Sequence, residues 1–319
     1  MKVIALAVIG VLSLAAGTAQ SQPAWPAKPV RIVVGFPPGT TGDLLARIAA
    51  PRMSESLGQP VLVENRPGAG SSIAAEAVVK SAADGYTLLL STIANTINPS
   101  LYKLGFDFSR DLAAVALLAD VAGLLAAHPS APPSVQALIP AAKANPGRIL
   151  YASSGNGTVT HLWGEMLNAS TGIKLVHVPY KGSSQAVTDL LAGNVALLFT
   201  PASTVIPHVA AGRLAALAVI GRQRLAALPN VPTMTELGVA GFESGLWFGL
   251  NAPAGTPPAV IERLNAEARR AFGLAEVKAQ LAAQGIDAVP GTAEAFAAFI
   301  RQETDKWARV VRESGAKAD

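Results

Sequence analysis

The chain has 319 residues, 50% apolar and 14% charged, with a formal net charge of +4 and no cysteine. Without thiols it has no disulfide, no thiolate nucleophile, no Cys-ligated metal and no point for lipid attachment at an export signal. The charges are scattered, with no basic run long enough for nucleic acid, and the mild positive excess suits a small anion better than a polymer.

The chain opens on Met1-Lys2, then an apolar run from Val3 to Ala16, then Gly17-Thr18-Ala19. This charged start, apolar stretch and small-residue site predict a signal peptide over 1–19, cleaved after about Ala19, and a periplasmic mature protein. The alternative is a retained anchor, but the run falls short of the roughly 18–20 residues of a membrane-spanning helix. What remains exceeds the ~100–200 residues that one core usually serves, so two lobes are expected.

Val30 to Val34 reads as a buried strand, and Phe36-Pro37-Pro38-Gly39-Thr40-Thr41 as a loop. A helix is expected from about Gly42 to Leu57, with Thr41 as cap, Asp43 in the first turn and a kink at Pro51. Val61 to Val63 is a second strand, Arg66 to Gly70 a turn, Ser72 to Ser81 a helix, and Tyr86 to Leu90 a third strand. Leu124 to Ala127, Ile149 to Ala152, Leu175 to Val178, Val195 to Phe199 and Leu214 to Ile220 are further strands. Helices are expected over Val135 to Ala144, from after Thr158 to about Asn168, and over Ser184 to Leu191. The tail reads as three helices: Pro257 to Phe272, Ala275 to Gln284, and Thr292, as cap, to about Ser314. Strands alternating with helices imply an α/β fold with mainly parallel sheets.

Three strand-to-helix loops share one chemistry. The first holds Phe36, Pro38, Gly39, Thr40 and Thr41, with Asp43 just inside its helix. The second is Ser153-Ser154-Gly155-Asn156-Gly157-Thr158, and the third Tyr180-Lys181-Gly182-Ser183-Ser184. Ser91, just past the third strand, joins the candidate set. A helix start presents unpaired N–H groups and partial positive charge. Glycine lets a ligand approach that backbone, and Ser or Thr adds a hydroxyl, so such loops suit an anion. In α/β sheets they lie at the carboxyl ends of strands, where ligands bind. Ordinary helix capping is the competing account of each loop. Asp43 would repel an anion, so it faces an ammonium group, water or its own backbone. Phe36 and Tyr180 are divided between packing and ligand contact. Four or five charge-assisted hydrogen bonds of about 1.5–3 kcal/mol each would exceed the ~8 kcal/mol of micromolar capture before ordering costs.

Catalytic and metal patterns are missing. Ser154 lacks the upstream glycine of a nucleophile elbow, the first loop lacks a Walker lysine, and His161 and Glu165 belong to no His-Glu-x-x-His. His128, His161, His177 and His208 fall in different elements and read as structural or surface residues. Trp163, Trp247 and Trp307 read as core. No catalytic residue, metal or cofactor is expected.

The chain also resembles the Bug-type solute-binding proteins of tripartite tricarboxylate transporters. The matching stretches include Lys28 to Val34, Phe36-Pro37-Pro38-Gly39, Glu64 to Gly70, Asp84 to Leu89, Ala142 to Gly147, His177 to Gly182, Leu228 to Thr233 and Ala252 to Pro257. The resemblance implies a two-lobed periplasmic-binding-protein (Venus flytrap) fold with the ligand cleft between lobes. It implies lobe 1 over 20–123 plus 224–319 and lobe 2 over 124–223. It further implies capture of a small organic carboxylate by backbone amides and waters, and delivery to membrane permease subunits, by a protein expected to be a monomer. Two positions depart from the family pattern: Thr40 replaces a usual glycine, and Thr200 stands where an acid often follows its strand. The second implies a ligand without an amine, such as a di- or tricarboxylate or an aromatic acid. A sensor presenting its ligand to a membrane kinase, and a hydrolase on the same fold, are the competing functions.

Overall fold

The computed structural model describes residues 25–243 and 245–314; the expected signal peptide at 1–19 lies outside them. Its strands form two sheets. The first sheet holds β1 (Val30–Val34), β2 (Val61–Asn65), β3 (Thr87–Thr92), β4 (Leu112–Val121), β10 (Leu246–Pro253) and β11 (Ile286–Ala288), in the order β11-β4-β10-β3-β1-β2. The second holds β5 (Gly123–Ala127), β6 (Leu150–Ser153), β7 (Val176–Pro179), β8 (Leu197–Pro201) and β9 (Ala215–Ile220), in the order β7-β6-β8-β5-β9.

β1 is apolar except for Arg31, so it runs buried between the parallel β2 and β3. Around this sheet pack α1 (Thr41–Leu57), α2 (Ser72–Val79) and the short α3 (Ala94–Ile97) and α4 (Phe108–Asp111). The second sheet carries α5 (Val135–Ala144), α6 (Val159–Thr171), α7 (Ser183–Leu191) and the short α8 (Ile206–Ala210). In the tail, α9 (Pro258–Gly273) packs on α1 and β4, α10 (Ala275–Ala282) on β11, and α11 (Ala293–Ser314) on β4. Thr292 caps α11 through its hydroxyl, which accepts from the Ala295 N–H at 3.2 Å.

The chain passes between the sheets twice. Only Ala122 separates β4 from β5, and the return falls between β9 and β10. The two crossings lie against each other: a Cβ on Gly245 would come within 2.3 Å of the Val121 carbonyl oxygen. Before the return, the chain stays with the second sheet. Val219 N–H donates to Pro232 O at 2.8 Å, and Met234 N–H donates to Val219 O at 2.9 Å. Leu225 and Leu228 pack on that lobe's core.

Trp163, Trp247 and Trp307 are core residues, as expected, at 1%, 3% and 2% exposure. One expectation at α1 needs correction. Its N-cap is Thr40, in extended geometry, while Thr41 is the first helical residue. The helix runs to Leu57 with Pro51 inside it, and Gly58 closes it in a left-handed conformation. β4, β10 and β11 carry no strand signal in the sequence. β4 is an Ala- and Leu-rich run without alternation, buried on both faces. β10 holds Gly249, where a Cβ would come within 2.2 Å of the Phe296 ring. No helix among the described residues is long and apolar enough to cross a membrane.

Candidate ligand-binding cleft

The first loop leaves the carboxyl end of β1 and enters α1. Gly39 turns it with a φ of 80°, and the Thr40 hydroxyl donates to Pro37 O at 2.9 Å. Asp43 holds the loop from inside the helix. It accepts from the Gly39 N–H at 3.0 Å, from Arg47 Nε at 2.9 Å and from Asn65 Nδ2 at 3.0 Å. Burial raises the Asp43 pKa, but the bonds from Arg47, Gly39 and Asn65 outweigh it and hold the carboxyl below its ordinary value. Asp43 therefore faces its own backbone and two neighbours of the same lobe.

The second loop follows β6. Thr158 Oγ1 donates to Gly155 O at 2.7 Å, and Thr160 Oγ1 accepts from the Ser154 N–H at 2.9 Å. Gly155 and Gly157 both hold positive φ. Under the loop, Ser153 Oγ meets His177 Nε2 at 2.6 Å. The His177 ring stacks on His161 with centroids 4.1 Å apart, and Tyr151 also stacks on it at 4.9 Å. Burial, and then the adjacent His161, push the His177 pKa down to about 3. The neutral imidazole is thus part of the loop's foundation.

The third loop joins β7 to α7. Tyr180 Oη donates to Asp189 at 2.6 Å, and burial followed by Asp189 pushes the phenol pKa up to about 12. Gly182 packs on the first loop, where a Cβ would come within 2.8 Å of the Pro37 ring, and Ser184 Oγ donates to Pro38 O at 3.3 Å. Thr41 Oγ1 and Ser203 Oγ meet at 2.7 Å, so hydroxyl pairing also joins the lobes.

Two compartments lie where the lobes meet. The apolar one is half open, and its space of about 410 Å³ includes the solvent at its mouth. The first residues of α1, α6 and α7 line it (Thr41, Gly42, Val159, Thr160, Ser183), along with Thr40, Ser154, Thr158, Pro201 and the Thr92-Ile93-Ala94 turn. Phe36, Leu246 and Phe248 complete its walls. The polar compartment is also half open, and its space of about 700 Å³ includes solvent at its mouth. Gly35, Phe36, Gly68, Ala69, Gly70 and Tyr102 form one wall, and Ser154 to Asn156 and Pro179 to Lys181 the other.

Of the residues picked from sequence, Phe36, Thr40, Thr41, Ser154 and Thr158 line the apolar compartment. Phe36, Ser154, Gly155, Tyr180 and Lys181 line the polar one. The others are placed away from both. Pro38 and Gly39 are exposed, and Pro38 meets the other lobe through its carbonyl. Ser91 Oγ donates to Asn251 Oδ1 at 2.6 Å within the first sheet. Thr200 pairs its hydroxyl with Thr204 at 2.7 Å. Asp43 and Ser153 brace their loops from behind, whereas Gly157 packs on Asn98 and Tyr102, and Gly182 on Pro37, of the other lobe. Lining residues not picked from sequence fall in two groups. Thr160, Ser183, Asn156 and Pro179 belong to or border the chosen loops. Thr92 to Ala94, Gly68 to Gly70, Tyr102, Pro201, Leu246 and Phe248 arrive from elsewhere in the chain.

Among the described residues, no group of three or more His, Asp or Glu side chains is placed to hold a metal ion. The fold and this cleft define a two-lobed solute-binding protein. Residues 45–316 match the family model of the tripartite tricarboxylate transporter family receptor, and the chain belongs to that family. It is 41% identical to Protein BugT of Bordetella pertussis over 318 residues, 98% of each chain. It is also similar to the structure of R. palustris Rpa4515 with adipate, at 34% identity and a TM-score of 0.88, covering 92% of this chain and 99% of that one. The periplasmic binding protein BugD superposes with a TM-score of 0.88 at 32% identity, covering 92% and 100%. The family is one of receptors rather than enzymes.

Proposed function

We propose that this protein captures a small organic carboxylate in the periplasm and delivers it to the permease subunits of a tripartite tricarboxylate transporter. The observation that carries this reading is the convergence of the α1, α6 and α7 starts on one uncharged cavity between the lobes. Unpaired N–H groups at helix starts hold an anion without a counter-ion. The adipate bound by Rpa4515, a member of the same structural group, supports a carboxylate. The Val3 to Ala16 run and the Gly17-Thr18-Ala19 site support cleavage after Ala19 and export.

Two finer points belong to this reading. The ligand has no amine, because no lining residue of either compartment is acidic and an ammonium group would lack a counter-charge. Lobe 1 comprises the described chain up to Val121 and its C-terminal part, and lobe 2 the middle, from β5 at Gly123. We place the return crossing near Gly245 rather than at 224, because residues 219–234 hydrogen-bond together beside the second sheet.

A thermal-shift screen of the purified protein against mono-, di- and tricarboxylates, aromatic acids and amino acids tests the proposal. At about 100 times its Kd, a ligand adds roughly 2.7 kcal/mol of apparent stability. A plain carboxylate that raises Tm and is recovered unchanged by mass spectrometry is the expected result. Conversion of the compound would favour the hydrolase reading. A tighter-binding amino acid would remove the no-amine claim.

A further inference from the structure

The second sheet has a cleft end and an opposite pole. β6, β7 and β8 end at the cleft with Ser153, Pro179 and Pro201, and the antiparallel β5 ends at the pole with Ala127. The pole is basic. Arg148, Lys174 and Arg213 each stand two residues before β6, β7 and β9, strands that start there. The Gly147 N–H donates to Lys174 O at 2.8 Å, which brings Arg148 beside Lys174. Lys143 joins them from the last turn of α5. All four are exposed and make no ion pair or side-chain hydrogen bond among the described residues. In the first lobe, by contrast, Arg47, Arg66, Lys80 and Arg263 are held in ion pairs.

The carboxylates around the second sheet are engaged by other groups. Glu165 accepts from Tyr151 Oη at 2.6 Å, and Asp189 from Tyr180 Oη at 2.6 Å and Asn194 Nδ2 at 3.3 Å. Glu236 pairs with Arg224 Nε at 2.9 Å, and Glu243 accepts from the Gly241 N–H at 3.1 Å. The pole also lacks an apolar anchor. Val176 is the large hydrophobic side chain exposed beside it, and Leu62, Ile73 and Val289 belong to the first lobe. Protein interfaces centre on buried aromatic and apolar residues with lysine depleted, so this surface suits a protein poorly. Spread, unpaired cations suit an anionic lipid surface, where each adds about fivefold to partitioning.

We propose that this pole docks the protein on a membrane surface rich in anionic phospholipid headgroups. The proposal rests on the periplasmic location given above and not on carboxylate capture. Because the cleft lies at the other ends of the same strands, a docked chain keeps it turned away from the headgroups. Solvated surface cations with no partner are the competing account, and they predict no preference between lipids.

Vesicle co-sedimentation of the chain without residues 1–19 separates the two accounts, since the apolar run at the start would enter a bilayer by itself. The vesicles are phosphatidylcholine alone, or phosphatidylcholine with an equal part of phosphatidylglycerol. Binding to the mixed vesicles alone is expected, with loss at roughly 1 M salt, where screening shortens to about 3 Å. Lys143→Gln, Arg148→Gln, Lys174→Gln and Arg213→Gln should each weaken binding about fivefold and together abolish it, with Tm unchanged. Arg148→Lys should bind as the wild type does. So should a control combining Arg269→Gln, Lys278→Gln, Arg301→Gln and Arg309→Gln, all exposed on the tail helices of the first lobe. Equal binding to both vesicles, binding to neither, or equal losses in the two combined variants would overturn the proposal. Carboxylate calorimetry on the combined pole variant should match the wild type, so a failure of docking and a failure of capture are read separately.

Discussion

Thr41 and Ser203 share a buried hydroxyl–hydroxyl hydrogen bond of 2.7 Å that joins the first turn of α1 to the segment after β8. It ties one lobe to the other beside the apolar compartment. A bond of this kind contributes only when the lobes are together, so it favours the closed population by its own differential energy. Thr41→Val and Ser203→Ala should each weaken ligand binding several-fold, with a net bond energy of about 1 kcal/mol. The double variant should lose less than the sum of the singles, as the two hydroxyls serve each other. Additive losses in calorimetry would show that the pair does not act as a latch.

Gly155 has a φ of 127°, and a Cβ there would approach the Tyr180 carbonyl oxygen to 2.7 Å. The second and third loops therefore touch through a glycine that no other residue replaces without displacement. Gly155→Ala should cost about 1–3 kcal/mol and lower Tm by several degrees. It should also weaken the ligand, because Ser154 and Tyr180 line the cleft on either side of this contact. A variant with wild-type Tm and affinity would show that the loops adjust freely.

The three strand-to-helix loops were legible because each leaves a strand with a run of Gly, Ser and Thr. That chemistry is local. Their convergence was not legible, since it depends on sheet order: β6 lies between β7 and β8, and β1 between β3 and β2. Leu246 and Phe248 escaped because β10 combines Gly, Asn and Pro with aromatics and shows no period of two. β4 escaped for the opposite reason, being too uniformly apolar to distinguish from a helix. Asp43 and Ser153 drew attention as polar residues at loop ends. Their side chains instead face inward, onto Arg47 and Asn65 in one case and His177 in the other. Residue type alone does not tell a ligand contact from a brace behind it.

Glu303 is 8% exposed and accepts from two indoles, Trp307 Nε1 at 2.9 Å and Trp247 Nε1 at 3.3 Å. One carboxylate thus ties α11 to β10 in the first lobe. Glu303→Ala leaves both indole N–H groups buried without an acceptor, at a cost of about 2 kcal/mol or more. Glu303→Gln keeps an acceptor oxygen and should recover most of the loss. Denaturant unfolding of the two variants is the check, and equal midpoints would remove Glu303 from the account of core stability.

His177 gives a pH dependence with a definite sign. Burial and the neighbouring His161 lower its folded pKa to about 3, from an ordinary value of 6.5. The unfolded chain therefore binds a proton that the folded chain refuses, and stability falls as pH drops. The contribution is intact above about 6.5 and is lost progressively as pH falls from there toward 3. Carboxylates such as Asp43, whose folded pKa is also lowered, add their losses only near and below the ordinary carboxylate range. Asp120, whose folded pKa burial raises, contributes with the opposite sign above the ordinary carboxylate range, so between pH 6.5 and about 5 the loss due to the imidazole is read as the difference between variant and wild type. His177→Gln retains a polar partner for Ser153 and removes the titrating ring. It should lower Tm at neutral pH but flatten the Tm–pH curve in that window. A variant curve parallel to the wild type would mean that His177 is not the group responsible. The folded imidazole stays neutral until pH approaches 3, so ligand affinity of the folded protein should not change through His177 in that window even as Tm falls.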